Sequence, residues 1–225
     1  MHENWDYNTN PTGKNPILVN YVHHTFEKIE SEQKIEYESD FCCFNTGLVT
    51  ENQEEIFGYF QNNKRPNTTI PYYFIGWRKS SHRDLSKFSK LAEIATYITD
   101  PAELIYDTSL ELRINIDHII QDNKTRFPNP LNAMDDYILS NILQGTIKDS
   151  KRRVKRNYKT AIPQYYKGKL QLLLPLCLNT KAKADLTLVI EKENGVYRAS
   201  TCLTLDMAIN NARLIAKPDD EWLKI

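Results

Sequence analysis

The sequence predicts an α+β fold, a single domain with a mixed, mainly antiparallel sheet flanked by helices. Three observations carry this. Apolar residues recur at helical spacing in several stretches, above all between Met134 and Tyr158. Short apolar or alternating runs at 41–49, 71–77 and 110–116 read as strands. The last third holds two strand-like runs joined by Asn194-Gly195, a pair that supplies the positive φ angles of a type I′ hairpin.

Taken in order, residues 1–15 are polar and read as a flexible N-terminal arm, with the domain running over 16–225. Asn15-Pro16 opens a helix, Asn as N-cap and Pro at the first helical position, with Leu18, Tyr21, Val22, Phe26 and Ile29 as its stripe. Phe41–Phe44 reads as a buried strand that passes through Asn45-Thr46-Gly47 into Leu48-Val49. Thr50 and Gln53 have capping-box spacing, which predicts a short helix over 53–61 with Ile56, Phe57 and Phe60 inward. Pro71–Trp77 predicts another strand. Asp84 then caps an expected helix carrying Leu85, Phe88, Leu91, Ala92 and Ala95. Leu110–Ile116 alternates apolar and polar residues, the mark of a half-buried strand.

Pro128-Asn-Pro130 separates that strand from the long helix of 134–158, whose stripe is Met134, Ile138, Ile142, Leu143, Ile147 and Val154. Leu170–Leu178 predicts a buried strand in which Pro175 marks an edge or a bulge. Asp185–Glu191 and Val196–Leu203 flank the hairpin turn. Asp206 is the expected cap of a last helix through Ile215, and Trp222-Leu223 is expected to dock on the core. The strands suggest one sheet assembled from both halves of the chain; a two-domain split near Asn129 is the alternative.

Composition excludes some classes. Hydrophobic residues at 40% and charged residues at 26% are those of an ordinary globular chain. No apolar run reaches membrane-spanning length, and the N-terminus lacks a signal pattern, so a cytoplasmic protein without membrane contact is expected. Cys42, Cys43, Cys177 and Cys202 form no C-x-x-C pair and read as small buried hydrophobes rather than disulfides or metal ligands. Charge is zero overall but uneven. Residues 148–159 hold seven cations against Asp149, a net +6, which leaves −6 for the rest. Like charges so close repel one another unless an anion neutralises them.

Four stretches together resemble a bacterial family known as a domain of unknown function, number thirty-eight twenty-five. They are Phe44–Leu48; Asp117–Asn123 with Arg126-Phe-Pro128; Asn157–Gln164 with Gln171–Leu176; and Asp206 onward with Asn210–Ile215 and Trp222-Leu223. The resemblance covers the chain from about residue 38. It implies little chemistry, but relatives sit beside RNA-binding modules, an association that points toward RNA.

Four constellations are candidate sites. The basic segment, with Arg153, Arg156 and Lys159 leading to Gln164, Tyr165 and Tyr166, suits phosphates and bases; a solvated helix end with cations at the negative end of the dipole is the plain alternative. The sharper expectation is that Arg153–Lys159 walls a phosphate pocket while Lys148–Arg152 is an outer face. Asn45-Thr46-Gly47 is a polar turn that can offer N–H groups to a phosphate, or simply a turn that needs Gly47. Asn210, Asn211 and Arg213 follow Asp206; Asn210 and Arg213, three apart, share a helix face with Asp206, four before Asn210, and an Asp-Asn-Arg face suits a ribose phosphate or forms a buried polar network.

His118, beside Asp117 and Asp122, and His82, in a polar loop, are the candidate acid–base residues; strand alternation places His118 in the core. His23-His24 are read as lying on a helix without an i, i+4 carboxylate partner, so no metal site is expected there. The motifs of serine hydrolases, zinc proteases, dinucleotide-binding proteins and P-loops are absent. The acidic pair Asp135-Asp136 is explained by a helix start.

Together these predict an RNA- or nucleotide-phosphate-binding domain, in RNA processing or defence, with RNA or a nucleotide as partner and no cofactor or metal. A metal-independent phosphoesterase using His118 or His82, and a protein-interaction module with a basic face, are the alternatives. Homodimer formation is left open.

Overall fold

The computed structural model describes Trp5, residues 15–65 and residues 67–215. The expected α+β class holds: the described residues form four helices and two mainly antiparallel sheets. The strands do not combine into one sheet from both halves. Each sheet lies within one of two compact units that divide between Thr96 and Tyr97, well before Asn129.

In the N-terminal unit, α1 spans Pro16–Ser31, with Pro at its first position and Asn15 before it in the left-handed region. Ile17, Tyr21, Thr25 and Ile29 are its most buried residues, four apart, so the stripe is shifted by one position from the apolar residues alone. Ile17 N–H donates to Trp5 O, and the Trp5 and Tyr21 rings are 5.6 Å apart; the rest of the N-terminal arm lies outside the described residues. Contrary to the sequence reading, Glu27 stands four residues after His23 and pairs with it at 3.3 Å.

The sheet of this unit runs β1 (Glu36–Glu38), β2 (Phe41–Val49), β3 (Glu55–Asn62), β4 (Tyr72–Lys79), in that order and antiparallel throughout. The helix expected over 53–61 is therefore strand β3. Thr50 does not cap a helix: its N–H donates to Glu54 O and its Oγ1 accepts from Glu54 N, closing a hairpin. The physical reason is that both faces of β3 are covered. Phe57 and Tyr59 pack with Cys43, Leu85, Phe88 and Ala92, while Phe60 lies 6.3 Å from Phe26 of α1. A two-sided strand loses its alternation and imitates helical spacing.

The helix expected after Asp84 is reduced to one 3₁₀ turn, Leu85–Lys87. Residues 88–100 have no regular structure. Leu85, Phe88 and Ala92 are buried as read, but Asp84 accepts from Arg78 Nε at 2.7 Å instead of capping.

The C-terminal unit contains β5 (Leu112–Ile114), α2 (Ile116–Asn123), α3 (Asp136–Arg156), β6 (Ile162–Tyr166), β7 (Lys169–Leu176), β8 (Leu186–Glu193), β9 (Val196–Thr204) and α4 (Leu205–Arg213). The sheet order is β5-β9-β8-β7-β6, antiparallel except for the parallel β5–β9 pair. The expected strand 110–116 stops early because Asn115 Oδ1 accepts from His118 N and starts α2.

On one sheet face, α2 and α3 bury Ile119, Ile120, Leu139, Leu143, Ile147 and Val154 against leucines of β7 and β8. Each such side chain contributes roughly 1.5–3 kcal/mol. Ile138, expected inward, is half exposed. Asp135 caps α3 by accepting from Tyr137 N. Ser150 donates to Pro175 O at 2.7 Å. Pairing of β7 with β6 ends at Leu173, so Pro175 has a strand neighbour on one side only, as a proline requires. Asn194 and Gly195 have φ of 50° and 77°, the expected type I′ geometry.

On the opposite face α4 covers parts of β6, β8 and β9. Its cap is Thr204, not Asp206. The expected docking of Trp222-Leu223 lies outside the described residues.

Candidate functional site

The basic segment forms the second half of α3. Helical spacing sets Lys148, Lys151, Arg152 and Lys155 on one stripe, and these four line a groove of about 480 Å³ with Ile114, Ile116, Gln144 and Ile147. The floor is apolar and the rim cationic. Arg152 is paired with Asp149 at 3.0 Å. The walls are therefore the residues expected to be an outer face.

The turn expected to be the wall is placed differently. Arg153 Nη2 donates to Lys181 O and is tied to a loop. Arg156 and Lys159 are exposed. Asn157 Oδ1 accepts from Lys159 N, so this stretch caps the 3₁₀ turn Tyr158–Thr160. Gln164 is 1% exposed, and its side chain lies on the α4 face of the sheet, bonded to Gln171 and Asn211. Arg153, Arg156 and Lys159 thus belong to the α3 side, and Gln164 to the other.

That other face carries a row the sequence does not announce. Strand register sets Gln164 of β6 opposite Gln171 of β7, Glu191 of β8 opposite Arg198 of β9, and Arg198 opposite Arg113 of β5. Gln171 Nε2 donates to Glu191 Oε2 at 2.8 Å, which joins the two halves. The hydrogen bonds run in one direction: Asn211 Nδ2 to Gln164 Oε1, Gln164 Nε2 to Gln171 Oε1, Gln171 Nε2 to Glu191. Lys169 pairs with Glu191 from the other side. Burial works against the charge on Glu191, but the Lys169 and Gln171 bonds outweigh it and hold the carboxyl below the usual carboxylate range. Arg113, Gln171, Glu191, Glu193, Arg198 and Thr201 line about 500 Å³ of open space above this row. Ile114 lines both this space and the groove of α3.

On α4, Asn210 and Arg213 are half-buried and near the row's Asn211 in sequence; Asn210 Oδ1 is buried and has no hydrogen-bond partner among the described residues. Asn123 Oδ1, by contrast, accepts from Arg126, Thr201 and Cys202 N at 2.7–3.1 Å, which fastens α2 to β9.

In the N-terminal unit, Asn45-Thr46-Gly47 is a bulge inside β2, not a turn before a helix. Asn45 Nδ2 donates to Glu55 Oε1 and Ala92 O, and its Oδ1 accepts from Gly47 N. Thr46 Oγ1 donates to Ile56 O and accepts from Leu48 N. These groups hold the bulge in shape.

His118 is not a core residue. It lies on α2 with its side chain 47% exposed, 3.4 Å from Asp122. His82 accepts from Asp84 N through Nδ1. Neither lines the groove or the sheet-face space. Among the described residues, no three His, Cys, Asp or Glu side chains group as metal ligands, and no helix is long and apolar enough to cross a membrane. All four cysteines are free; burial pushes the Cys42 and Cys202 thiols to about 12 and Cys43 to about 11.

Fold and geometry define an α+β protein with a basic helical groove at one sheet edge and a charged row across the open sheet face. The chain belongs to the family described as Domain of unknown function (DUF3825), whose model matches residues 1–222, so the match begins earlier than the resemblance suggested. No curated protein and no solved structure matches it.

Proposed function

We propose that the chain binds single-stranded RNA, its phosphates held in the groove of α3. The observation that carries this is the stripe of Lys148, Lys151, Arg152 and Lys155 around an apolar floor. Four cations around one groove, only one of them, Arg152, held by a neighbouring acid, Asp149, among the described residues, repel one another and gain most from an anion with repeated charges. A polymer phosphate supplies it and releases counterions on binding. The isoleucines of the floor offer an apolar surface on which the faces of sugars and bases can be buried. A histidine-dependent phosphoesterase gains no support, because neither His82 nor His118 lines the groove.

Fluorescence anisotropy with a labelled oligouridine tests the reading. Four phosphate contacts predict a log–log salt slope of about −3. The double variant Lys148→Glu with Lys151→Glu should weaken binding more than about tenfold. Affinity indifferent to salt and to this variant overturns the proposal. Capture of an acidic peptide in place of RNA would also overturn it and assign the groove to a protein partner.

A further inference from the structure

We infer that the open face of the C-terminal sheet reads a guanine base of the strand held by α3, through Glu191, with the adjoining phosphate between Arg113 and Arg198. This rests on the RNA reading above and adds a base preference to it.

The first argument is the fixed direction of the amide chain. Gln171 spends Oε1 on Gln164 and one Nε2 hydrogen on Glu191. An ionised carboxylate only accepts, so Glu191 settles the orientation of both glutamines back to Asn211. What the row offers is the Glu191 carboxylate, with Lys169 on Oε1 and Gln171 on Oε2, and the Glu193 carboxyl beside it sharing Lys169. Two carboxyls at one place hold more acceptor positions than these two donors fill.

Acceptor positions without donors of their own select a ligand edge that presents adjacent donors. Guanine presents N1–H and the N2 amine side by side on its Watson–Crick edge. Adenine and cytosine each place a ring acceptor beside their amine. Uracil flanks its one N–H with two carbonyls. Those acceptors would face a carboxylate, and a group left unpaired there costs binding. Single-stranded RNA exposes this edge for reading.

The second argument is the pair of arginines. Arg113 and Arg198 are directly opposite in the β5–β9 register, an arrangement that is unfavourable for like charges. Each is offset by one carboxylate: Arg113 by Glu111 at 2.9 Å and Arg198 by Glu193 at 3.2 Å. Each fork carries five N–H donors and spends only part of them on its carboxylate, so a phosphate between the two can add charge-assisted bonds. Arg198 and Arg113 stand one and two strand spacings from Glu191, ~5 and ~10 Å, so a phosphate between them lies within one nucleotide of a base at Glu191.

The third argument is continuity. Edge strand β5 is three residues long, and Ile114 on it borders both the α3 groove and the sheet-face space. A strand leaving the groove has only this short edge to cross.

The test uses the full chain and a labelled oligouridine carrying one central guanosine, adenosine, cytidine or inosine. The guanosine oligomer should bind about tenfold tighter than all-uridine. Inosine, which lacks the N2 amine, should fall between them. Glu191→Gln should bring the guanosine oligomer to the uridine level while the salt slope stays unchanged. The inosine arm needs no protein variant, so it holds even where Glu191→Gln fails to fold. Equal affinity for all bases with an intact salt slope overturns the guanine site and leaves the groove reading standing. A guanosine preference that survives both inosine substitution and Glu191→Gln also overturns it. Absence of RNA binding, or binding indifferent to salt, removes the groove reading and this one with it.

Discussion

The bulge at Asn45-Thr46-Gly47 and the row through Gln171, Glu191 and Arg198 are both polar insertions into apolar strands. In the bulge the hydrogen bonds close on themselves. Asn45 reaches Glu55, Ala92 and Gly47, Thr46 reaches Ile56 and Leu48, and Tyr21 donates to Thr46 O. In the row each amide hands its bond onward until the chain ends on charged groups beside open space. A polar strand residue bonded mainly to backbone groups, as Asn45 and Thr46 are, shapes the backbone. One whose bonds run from side chain to side chain and end on a charge beside open space leaves capacity for a ligand. Buried polar groups must be paired in either case, so burial alone does not separate the two.

The largest expected effect tests the closed side of this contrast. Asn45→Ala removes three hydrogen bonds at a residue that is 2% exposed and should destabilise by about 3 kcal/mol. It would appear as a lower urea midpoint at unchanged slope, with RNA affinity of the folded protein untouched. Wild-type stability together with lost binding would make the bulge a site and break the contrast.

Gly47→Ala comes next. Gly47 has φ +70°, and an added Cβ would lie 2.8 Å from the Tyr21 hydroxyl. The left-handed backbone and the crowding should cost about 2 kcal/mol, read as a shift in thermal midpoint. No shift would show that the bulge relaxes freely and is not held by its bonds.

The smallest effect belongs to the row. Glu191 titrates below the usual carboxylate range in the folded chain. Its contribution to stability is therefore complete above the unfolded value of about 4.3 and is lost as pH falls through the lower folded value. With solvent screening allowed for, it amounts to no more than about 1 kcal/mol. Wild type should lose its stability advantage over Glu191→Gln as pH falls below the unfolded value of about 4.3 in denaturant titrations. An advantage that persists at the acid end would mean that Gln171 and Lys169 do not depend on the charge.

Much of the C-terminal unit was legible because its signals are local. Asn194-Gly195 has one low-energy turn, and α3 shows its stripe over many turns. The N-terminal unit misled at 53–61 and 84–95. There tertiary cover, Phe57 on one side and Phe60 on the other, fixed a strand whose apolar spacing looks helical. The basic segment was visible, but which stripe of α3 borders a groove depends on where β5 and α2 lie beside it. His118 changed surroundings because one side-chain cap, Asn115 to His118 N, turned a strand end into a helix start.

By itself the sequence determined the α+β class, the long basic helix, the type I′ hairpin and the concentration of charge in 148–159. These follow from nearest-neighbour backbone preference and helical periodicity, both carried by consecutive residues. Only the tertiary structure decided that Gln164, Gln171, Glu191, Arg198 and Arg113 stand in one row, and that Gln164 faces away from Arg153 and Lys159. Strand order and register join residues far apart in the chain, and a one-residue slip would send each side chain to the other face.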